Sequence, residues 1–433
     1  MNIKKYLSTI ITAILSIIVL VFSFVFSKFP ESAKPFSLME KLGIYTLGPI
    51  CGVENNNFST NGTHEVYISL LKSFATNNTF SIVTSYIILS IVLIVALVII
   101  SKAASKTNYK WTAYVCAALL PFVFGDFTNT AFFKTFYINS LILVVVLLMC
   151  SIFLWLYHKN STGIVGIILV SILTMIYSCL GSITAITSIV LGILIARLCI
   201  ISKNKLSKIL AIVMGCCVII QSICFIFTYK SVDYEQNIYN SVFYGAAKYD
   251  SVTELGLDPE LDNLKETYYS ENIKAEYNLS NKFYNKISYT DIAKYYITHP
   301  VNAYKIINQQ SKLSAMHYYD YGTTPYNSLK TRIPTNFPII IIITIAFVVI
   351  SIILKKKYCE IKPVTEFLMG ISVMWLLSLI FGSLYYGNCD TAMNMTVYNV
   401  LYDIVLLTIL IGGTRVVLHR QDEKKAEFGI THE

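Results

Sequence analysis

The chain has 433 residues, of which 55% are hydrophobic and 14% are charged, and its mean hydropathy is +0.60. Soluble globular proteins carry about 25% charged residues, so this composition excludes that class and predicts a protein that lies in a bilayer. The net charge of +9 does not indicate nucleic-acid binding, because the lysines and arginines concentrate in loops on one predicted side of the membrane.

Ten apolar segments are candidates to cross a bilayer as helices, a crossing that takes about 20 residues. The first follows a basic start, but its length and the lack of a small-residue cleavage site before Lys28 favour an uncleaved helix over a signal peptide. The fifth and sixth lie so close together that they are either a tight hairpin or one misdivided helix. We therefore predict an all-α integral membrane protein with about ten transmembrane helices, organised as one polytopic domain over residues 1–433. The segments are Tyr6–Ser27, Phe80–Ser101, Thr112–Gly125, Tyr137–Tyr157, Gly163–Cys179, Ser182–Ile201, Leu206–Thr228, Phe337–Leu354, Val364–Tyr386 and Val397–Leu418.

The distribution of lysine and arginine predicts the orientation. With the N-terminus inside, the cytoplasmic segments carry eighteen of these residues, whereas the outer loops other than the longest carry five. Because positive charge concentrates in cytoplasmic loops, both termini are predicted to be cytoplasmic in a multi-pass protein of the cell membrane. The five outer residues are Lys28, Lys34, Lys41, Lys72 and Lys134.

Two outer segments, residues 28–79 and 229–336, are too long to be simple connectors. The second holds twelve acids and eleven lysines or arginines, so it is nearly neutral and is expected to face water. Several sites in it have the spacing of helix caps, and tyrosines at 295, 296 and 304 predict an amphipathic hairpin that lies on the membrane face or caps the bundle. The predicted helix starts and breaks are Ser251–Glu254, Asp258-Pro259, Thr290-Asp291 and His299-Pro300.

Asp126 ends the third apolar segment at the predicted outer edge of the membrane. A short aromatic stretch, Phe127–Ser140, follows it and contains Lys134. An ionisable residue at this boundary is a candidate functional residue, and the alternative is an acid that marks a helix end in water. The sequence leaves these two interpretations equally open.

The first long loop supplies further candidates at the same membrane level. Glu54 and Glu65 are carboxylates that could act as a general base, and His64 could help to balance a phosphate. Each of them taken singly is better explained as a solvated loop residue.

The last apolar segment contains a carboxylate at membrane depth. Asp403 lies about two helical turns in, Asn399 occupies the same face at i−4, and Asp390 lies in the loop before them. A charge in lipid is costly, so Asp403 must face the bundle and find a partner there. A helix–helix hydrogen bond explains it at least as well as a role in catalysis.

Other classes of site find little support. No GxSxG, Walker, GxGxxG or HExxH pattern occurs, and no inner segment could hold a nucleotide-binding domain. Most of the ten cysteines lie in apolar runs with no metal-ligand spacing, so no metal site is predicted, and a divalent cation is left open as a cofactor. Cys51 and Cys389 are both in outer loops and could form a disulfide.

Four stretches carry a family resemblance, in the same order along the chain. The sequence resembles bacterial glycan-biosynthesis hexose transferases, which are polytopic membrane glycosyltransferases of the GT-C type. It departs from the family pattern at Met393-Asn394, where the family favours Lys-His, and at Glu54–Asn57, where an Asp-Gly-Asp-like motif is usual. The stretches are Asp126 with Phe132–Tyr137, Tyr239–Gly245 with Leu255–Pro259, Lys294–Pro300, and Asp390 with Asn399 and Asp403.

The resemblance implies a GT-C-like fold and a transfer reaction at the outer face. A hexose would pass, with inversion, from a polyprenyl-phosphate donor to a glycan or glycolipid acceptor, with membrane lipid as the other partner. Asp126, Glu54 or Glu65 would be the catalytic base, and Lys134, His64 or Arg332 would balance the phosphate. Tyr137 and other aromatic residues would stack on sugar rings, and Asp390, Asn399 and Asp403 would contact substrate.

Three other functions remain as alternatives. A lipid-linked glycan flippase or transporter usually has charges in the bundle core, whereas the predicted spans are nearly free of charge. A polysaccharide polymerase or ligase would bind a diphosphate with arginines, and the long loop has one, Arg332. A non-enzymatic membrane protein with an outer binding module would bind carbohydrate without forming product.

Overall fold

The computed structural model describes most of the chain. Regular structure in the described residues is helical apart from one antiparallel pair of three-residue strands, in which Ile50 faces Ser81. Residues outside the description are 1–5, 27–49, 53–62, 75–78, 105–109, 136, 160–162, 230–233, 315–324, 331, 334, 358–361, 390–393 and 428–433. In chain order the described helices and strands are α1 (Leu7–Phe26), β1 (Ile50–Gly52), α2 (Thr63–Lys72), β2 (Thr79–Ser81), α3 (Ile82–Ala104), α4 (Lys110–Phe124), α5 (Phe127–Thr130), α6 (Ile138–Lys159), α7 (Ile164–Ser178), α8 (Ser182–Arg197), α9 (Lys205–Thr228), α10 (Tyr234–Phe243), α11 (Glu271–Glu276), α12 (Tyr289–Thr298), α13 (Pro300–Ser314), α14 (Pro325–Lys330), α15 (Phe337–Lys357), α16 (Lys362–Tyr386) and α17 (Thr396–Glu427).

Every one of the ten predicted spans coincides with an apolar helix. Within the described residues, six helices are long and apolar enough to cross a membrane, and a seventh span results if α4 is joined to the short helices after it across a bend of 46°. Three further apolar helices, in α7, α15 and α17, are shorter over their apolar part. The fifth and sixth predicted segments are separate helices, α7 and α8, so the hairpin alternative is confirmed.

The apolar helices pack into one bundle around a shared core. α7, α8 and α9 pack against one another, α3 packs on α6, and α1 packs on both α3 and α4. α16 contacts α8, α15 and α17 and so links these helices within the bundle. α17 also contacts α4 and α6, so the end of α4 lies next to the last helix of the chain.

The described residues of the second long segment, 229–336, include short helices with an apolar core of their own. Ile238, Phe243, Leu261 and Phe283 are buried in this second core, which is separate from the core of the bundle. The predicted caps are present: Ser251 and Asp258 accept bonds from the amides of Thr253 and Glu260 at the starts of two 3-10 helices. We call this unit, over its described residues, the cap domain.

The hairpin of α12 and α13 begins earlier than predicted. The carboxylate of Asp291 accepts bonds from the amide (3.0 Å) and hydroxyl (2.6 Å) of Ser288, so Ser288 precedes the helix and Asp291 lies within its first turn. Tyr295 and Tyr296 are buried in the core of the cap domain, whereas the ring of Tyr304 lies 6.0 Å from that of Phe337 at the start of α15. The hairpin therefore caps the bundle, which is one of the two predicted placements.

The stretch Tyr239–Gly245, which carries part of the family resemblance, contacts the end of α16 and the residues after it, where the cap domain joins the bundle. The hydroxyl of Ser241 donates to the carbonyl of Leu384 (2.6 Å), and the amide of Asn388 donates to the carbonyl of Tyr244 (3.1 Å). Gly387 has a left-handed φ of +59°, and a Cβ there would lie 2.5 Å from the carbonyl oxygen of Asn240. Residues 240–245 and 384–388 thus form a close backbone contact, which we call the seam.

Replacing Gly387 with alanine should destabilise the protein by at least about 2 kcal/mol, because left-handed backbone is costly for alanine and the new methyl group collides with Asn240. The matched control is Gly256→Ala, where φ is +71° but a Cβ meets nothing within 4 Å; it should lose about 1 kcal/mol. Thermal unfolding of the purified protein measures both. Equal losses in the two variants would show that the seam is not closely packed.

Candidate active site

Asp126 lies at a break between two helices. α4 ends at Phe124, and α5 begins at Phe127 with Asp126 as its N-cap. The carboxylate oxygen Oδ1 accepts bonds from the amide (2.8 Å) and the hydroxyl (2.7 Å) of Thr128, which leaves Oδ2 without a hydrogen-bond partner among the described residues. One oxygen is therefore anchored, and the other has lone pairs available to accept a hydrogen bond.

The Asp126 side chain is buried. Its exposed fraction is 6%, so the interpretation of an acid that sits in water is wrong for this residue. It follows the end of α4, as that interpretation proposed, but its side chain caps the start of α5. A capping residue in water would be common, but burying a carboxylate requires charges or hydrogen bonds nearby.

The partner of Asp403 comes from the cap domain and not from a neighbouring span. The ammonium of Lys330, the last residue of α14, lies 2.7 Å from Asp403 Oδ1, and the hydroxyl of Tyr326 donates to the same oxygen at 2.5 Å. The exposed fractions of Lys330 and Asp403 are 0% and 1%, so this ion pair is fully removed from solvent. The pair fastens α14 to α17.

Asp126 lies close enough to influence this pair electrostatically. Burial lowers the pKa of Lys330, and the negative charges of Asp403 and Asp126 oppose that shift. Burial raises the pKa of Tyr326, and the same two carboxylates add to the effect. Three distant parts of the chain thus place Asp126, Tyr326, Lys330 and Asp403 within electrostatic reach of each other.

Aromatic rings of α16 and α17 form a wall beside the ion pair. Trp375 stacks on Tyr398 and Tyr402, with ring centroids 5.7 Å and 5.4 Å away. The ammonium of Lys330 lies 5.1 Å from the centroid of the Tyr402 ring, which is a cation–π distance. All three rings are buried.

Lys330 was missed by the sequence analysis, which proposed Arg332 two residues later. Arg332 is exposed, whereas Lys330 is buried. A signal did exist: Asp403 at membrane depth requires a cation, and Lys330 is one of the basic residues just before a span. Neither hydropathy nor spacing distinguishes Lys330 from Arg332, so only the packing of α14 selects between them.

Lys134 and Tyr137 lie near Asp126 in the chain but have other contacts. The Lys134 ammonium donates to the carbonyl of Phe24 (2.5 Å) and lies 4.6 Å from the centroid of the Phe24 ring. It thereby neutralises the C-terminal end of α1, which carries partial negative charge. Tyr137 is half-buried, and its ring makes an edge contact with Phe132.

The remaining candidates fall partly outside the description. His64 and Glu65 lie in α2, but their side chains are not among those described, and Glu54 and Asp390 lie outside the described residues altogether. Asn399 is buried on the same face as Asp403. Cys389 is buried, and the side chain of Cys51 is not described. No group of three or more His, Cys, Asp or Glu side chains that could hold a metal ion occurs in the part of the chain that the structure describes.

The bundle of apolar helices and the buried charges at one end of it define a multi-pass membrane protein. A family model described as the YfdI N-terminal transmembrane domain matches residues 44–429, so the chain belongs to this family. Searches of curated proteins and of solved structures found no match. The match includes all four residues of the buried cluster, Asp126, Tyr326, Lys330 and Asp403.

Proposed function

We propose that the protein is a GT-C-type hexosyltransferase that moves a hexose from a polyprenyl-phosphate donor to a cell-surface glycan or glycolipid. The observation that carries this proposal is the buried ion pair of Lys330 and Asp403, which lies within electrostatic reach of Asp126 at the predicted outer end of the bundle. A cation there can bind the phosphate of a lipid whose tail stays in the bilayer. A carboxylate with one open oxygen can act on the acceptor.

Lys330 replaces the sequence-based candidates as the donor-phosphate ligand. Lys134 is engaged with the carbonyl of Phe24, and Arg332 is exposed. Lys330 is desolvated, so its attraction for a phosphate is stronger than that of a surface lysine. Its bond to Asp403 keeps the ammonium at one place while the phosphate binds.

Asp126 is the general base of the proposed reaction. Its open oxygen Oδ2 takes the proton of the acceptor hydroxyl while the hydroxyl oxygen bonds to the anomeric carbon. The bond from this carbon to the phosphate oxygen breaks, and its electron pair stays with the phosphate, so the configuration inverts. Two carboxylates against one ammonium leave excess negative charge, which stabilises positive charge that develops on the sugar ring.

The orientation belongs to the same proposal. The charge bias places both termini in the cytoplasm, and Asp126, Lys330 and the cap domain then lie on the extracytoplasmic side. A donor at this face already carries its energy in the glycosyl phosphate. No nucleotide is required.

A lipid-linked glycan flippase is the second candidate, and one observation favours it. A buried ion pair between helices is a feature of many transport proteins, and here Lys330 of α14 pairs with Asp403 of α17. In a flippase, the pair would break and re-form as the substrate passes. In a transferase it would stay closed.

Analysis of cell-surface glycans by mass spectrometry in a deletion strain separates these functions. We expect the surface glycan of the deletion strain to lack one hexose that the parent carries, with complementation restoring it. Intact lipid-linked units that accumulate in the deletion strain would instead indicate a flippase or polymerase. An unchanged glycan profile with no accumulated intermediate would contradict all of these proposals.

A further inference from the structure

Several buried polar atoms beside the Lys330–Asp403 pair have no hydrogen-bond partner among the described residues. They are Asp403 Oδ2, Asn399 Oδ1, the hydroxyl oxygen of Tyr402 and the indole nitrogen Nε1 of Trp375. Native proteins leave few such atoms unpaired, since each one loses its bonds to water on burial. Four of them in adjoining parts of α16 and α17 therefore require an explanation.

The four groups lie where α16 and α17 contact each other. Asn399 and Asp403 are one turn apart on α17, and Tyr402 is adjacent to Asp403 in the chain. Trp375 of α16 stacks on the Tyr402 ring with the ring planes 17° apart. By helical rise, Asp403 lies about 10 Å from the start of α17, a depth at which a lipid headgroup can reach it.

Asp403 is held so that one oxygen is kept available. Lys330 and Tyr326 both bind Oδ1, at 2.7 Å and 2.5 Å, and this fixes the carboxylate while Oδ2 stays unbonded. A carboxylate that only served the ion pair would gain from using both oxygens. Oδ2 is instead an acceptor that has no donor among the described residues.

The chemistry of these atoms matches the hydroxyl groups of a sugar. A carboxylate and an amide oxygen accept, an indole nitrogen donates, and a phenol does both. The phosphodiester of a glycosyl donor carries no proton, so it has nothing to donate to Asp403 Oδ2 or Asn399 Oδ1, and a hydrocarbon chain could satisfy none of the four. A hexose offers several hydroxyls that both donate and accept, along with apolar faces that suit a buried aromatic wall.

We infer that Asn399, Asp403, Tyr402 and Trp375 form the subsite for the donor hexose, with Asp403 held in place by Lys330 and Tyr326. This inference rests on the proposed function. It places the sugar beside α17 and its phosphate at Lys330, so that the anomeric carbon lies between them and Asp126. The subsite is distinct from the aromatic stretch after Asp126 that the sequence suggested.

Binding of lipid probes to the full-length protein in nanodiscs tests this subsite. The probes are polyprenyl phosphate without sugar and polyprenyl phosphate carrying glucose, galactose or mannose, with affinity measured by thermophoresis. We expect the wild type to bind at least one hexose-bearing probe about tenfold more tightly than the sugar-free lipid, since one or two added hydrogen bonds are worth that much. Asn399→Leu should remove this gain and leave the affinity for the sugar-free lipid unchanged.

Two further variants distinguish loss of the subsite from misfolding of the protein. Tyr402→Phe deletes only a hydroxyl and keeps the ring near Lys330, so it should lose part of the gain in a folded protein. Asn139→Leu is the matched control, because its amide donates to the hydroxyl of Thr396 (2.6 Å) at the start of the same helix. It should keep the full preference for the hexose-bearing probe.

The outcomes separate this inference from the proposed function. If wild-type membranes transfer hexose but the wild-type protein binds all probes equally, the subsite is wrong and buried water satisfies the four atoms. The same conclusion follows if Asn399→Leu and Tyr402→Phe both keep the full preference. If no probe binds and no transfer occurs, the proposed function fails, and the subsite fails with it.

Discussion

Asp126→Asn should reduce hexose transfer by about 10² to 10⁴-fold while the protein stays folded. Asparagine keeps the acceptor oxygen that the amide and hydroxyl of Thr128 require, and it is as good an N-cap as aspartate. It loses the ability to take a proton. Transfer from polyprenyl-phosphate hexose in isolated membranes measures the effect, and thermal unfolding shows that the fold is retained.

Asp250→Asn is the control for loss of a carboxylate. Asp250 accepts bonds from the hydroxyl of Tyr295 and the amide of Asn302, both at 3.1 Å, within the cap domain. The Asp250→Asn variant should transfer hexose at the wild-type rate. Wild-type activity in Asp126→Asn would overturn the assignment of the base, and Glu54 and Glu65 would then be the carboxylates to test.

Lys330→Met and Asp403→Asn should each lower the free energy of unfolding by about 3–5 kcal/mol, because each leaves a buried group without its partner. Both should also abolish transfer. The double variant Lys330→Met/Asp403→Leu should recover most of the lost stability, since apolar side chains can replace a buried ion pair. It should remain inactive, because no cation is left to bind the phosphate.

The double variant distinguishes a structural pair from a functional one. An active double variant would show that Lys330 and Asp403 only hold α14 against α17. Arg332→Met is the matched control for Lys330, since it removes an exposed cation two residues away and should change neither stability nor transfer. Loss of transfer in Arg332→Met would instead assign the role of phosphate ligand to Arg332, which the sequence suggested.

The sequence by itself determined the class of fold and many local features. All ten apolar segments are helices, and Ser251 and Asp258 cap the short helices that their spacing predicted. These features depend on residues within a few positions of each other, so hydropathy and capping chemistry are sufficient to find them. The sequence also identified Asp126 and Asp403 as residues that need an explanation, because a carboxylate near lipid is costly wherever it occurs.

Only the tertiary structure decided which residues meet. Lys330, and not Lys134 or Arg332, pairs with Asp403, and Asp126 proves to be a buried cap near that pair. No local pattern contains this information, because the contact depends on how α4, α14 and α17 pack. Asp126 began as an acid with two equally open interpretations. Packing excludes water from Asp126 and places the ammonium of Lys330 and the carboxylate of Asp403 within its electrostatic reach. These two effects make Asp126 the candidate base.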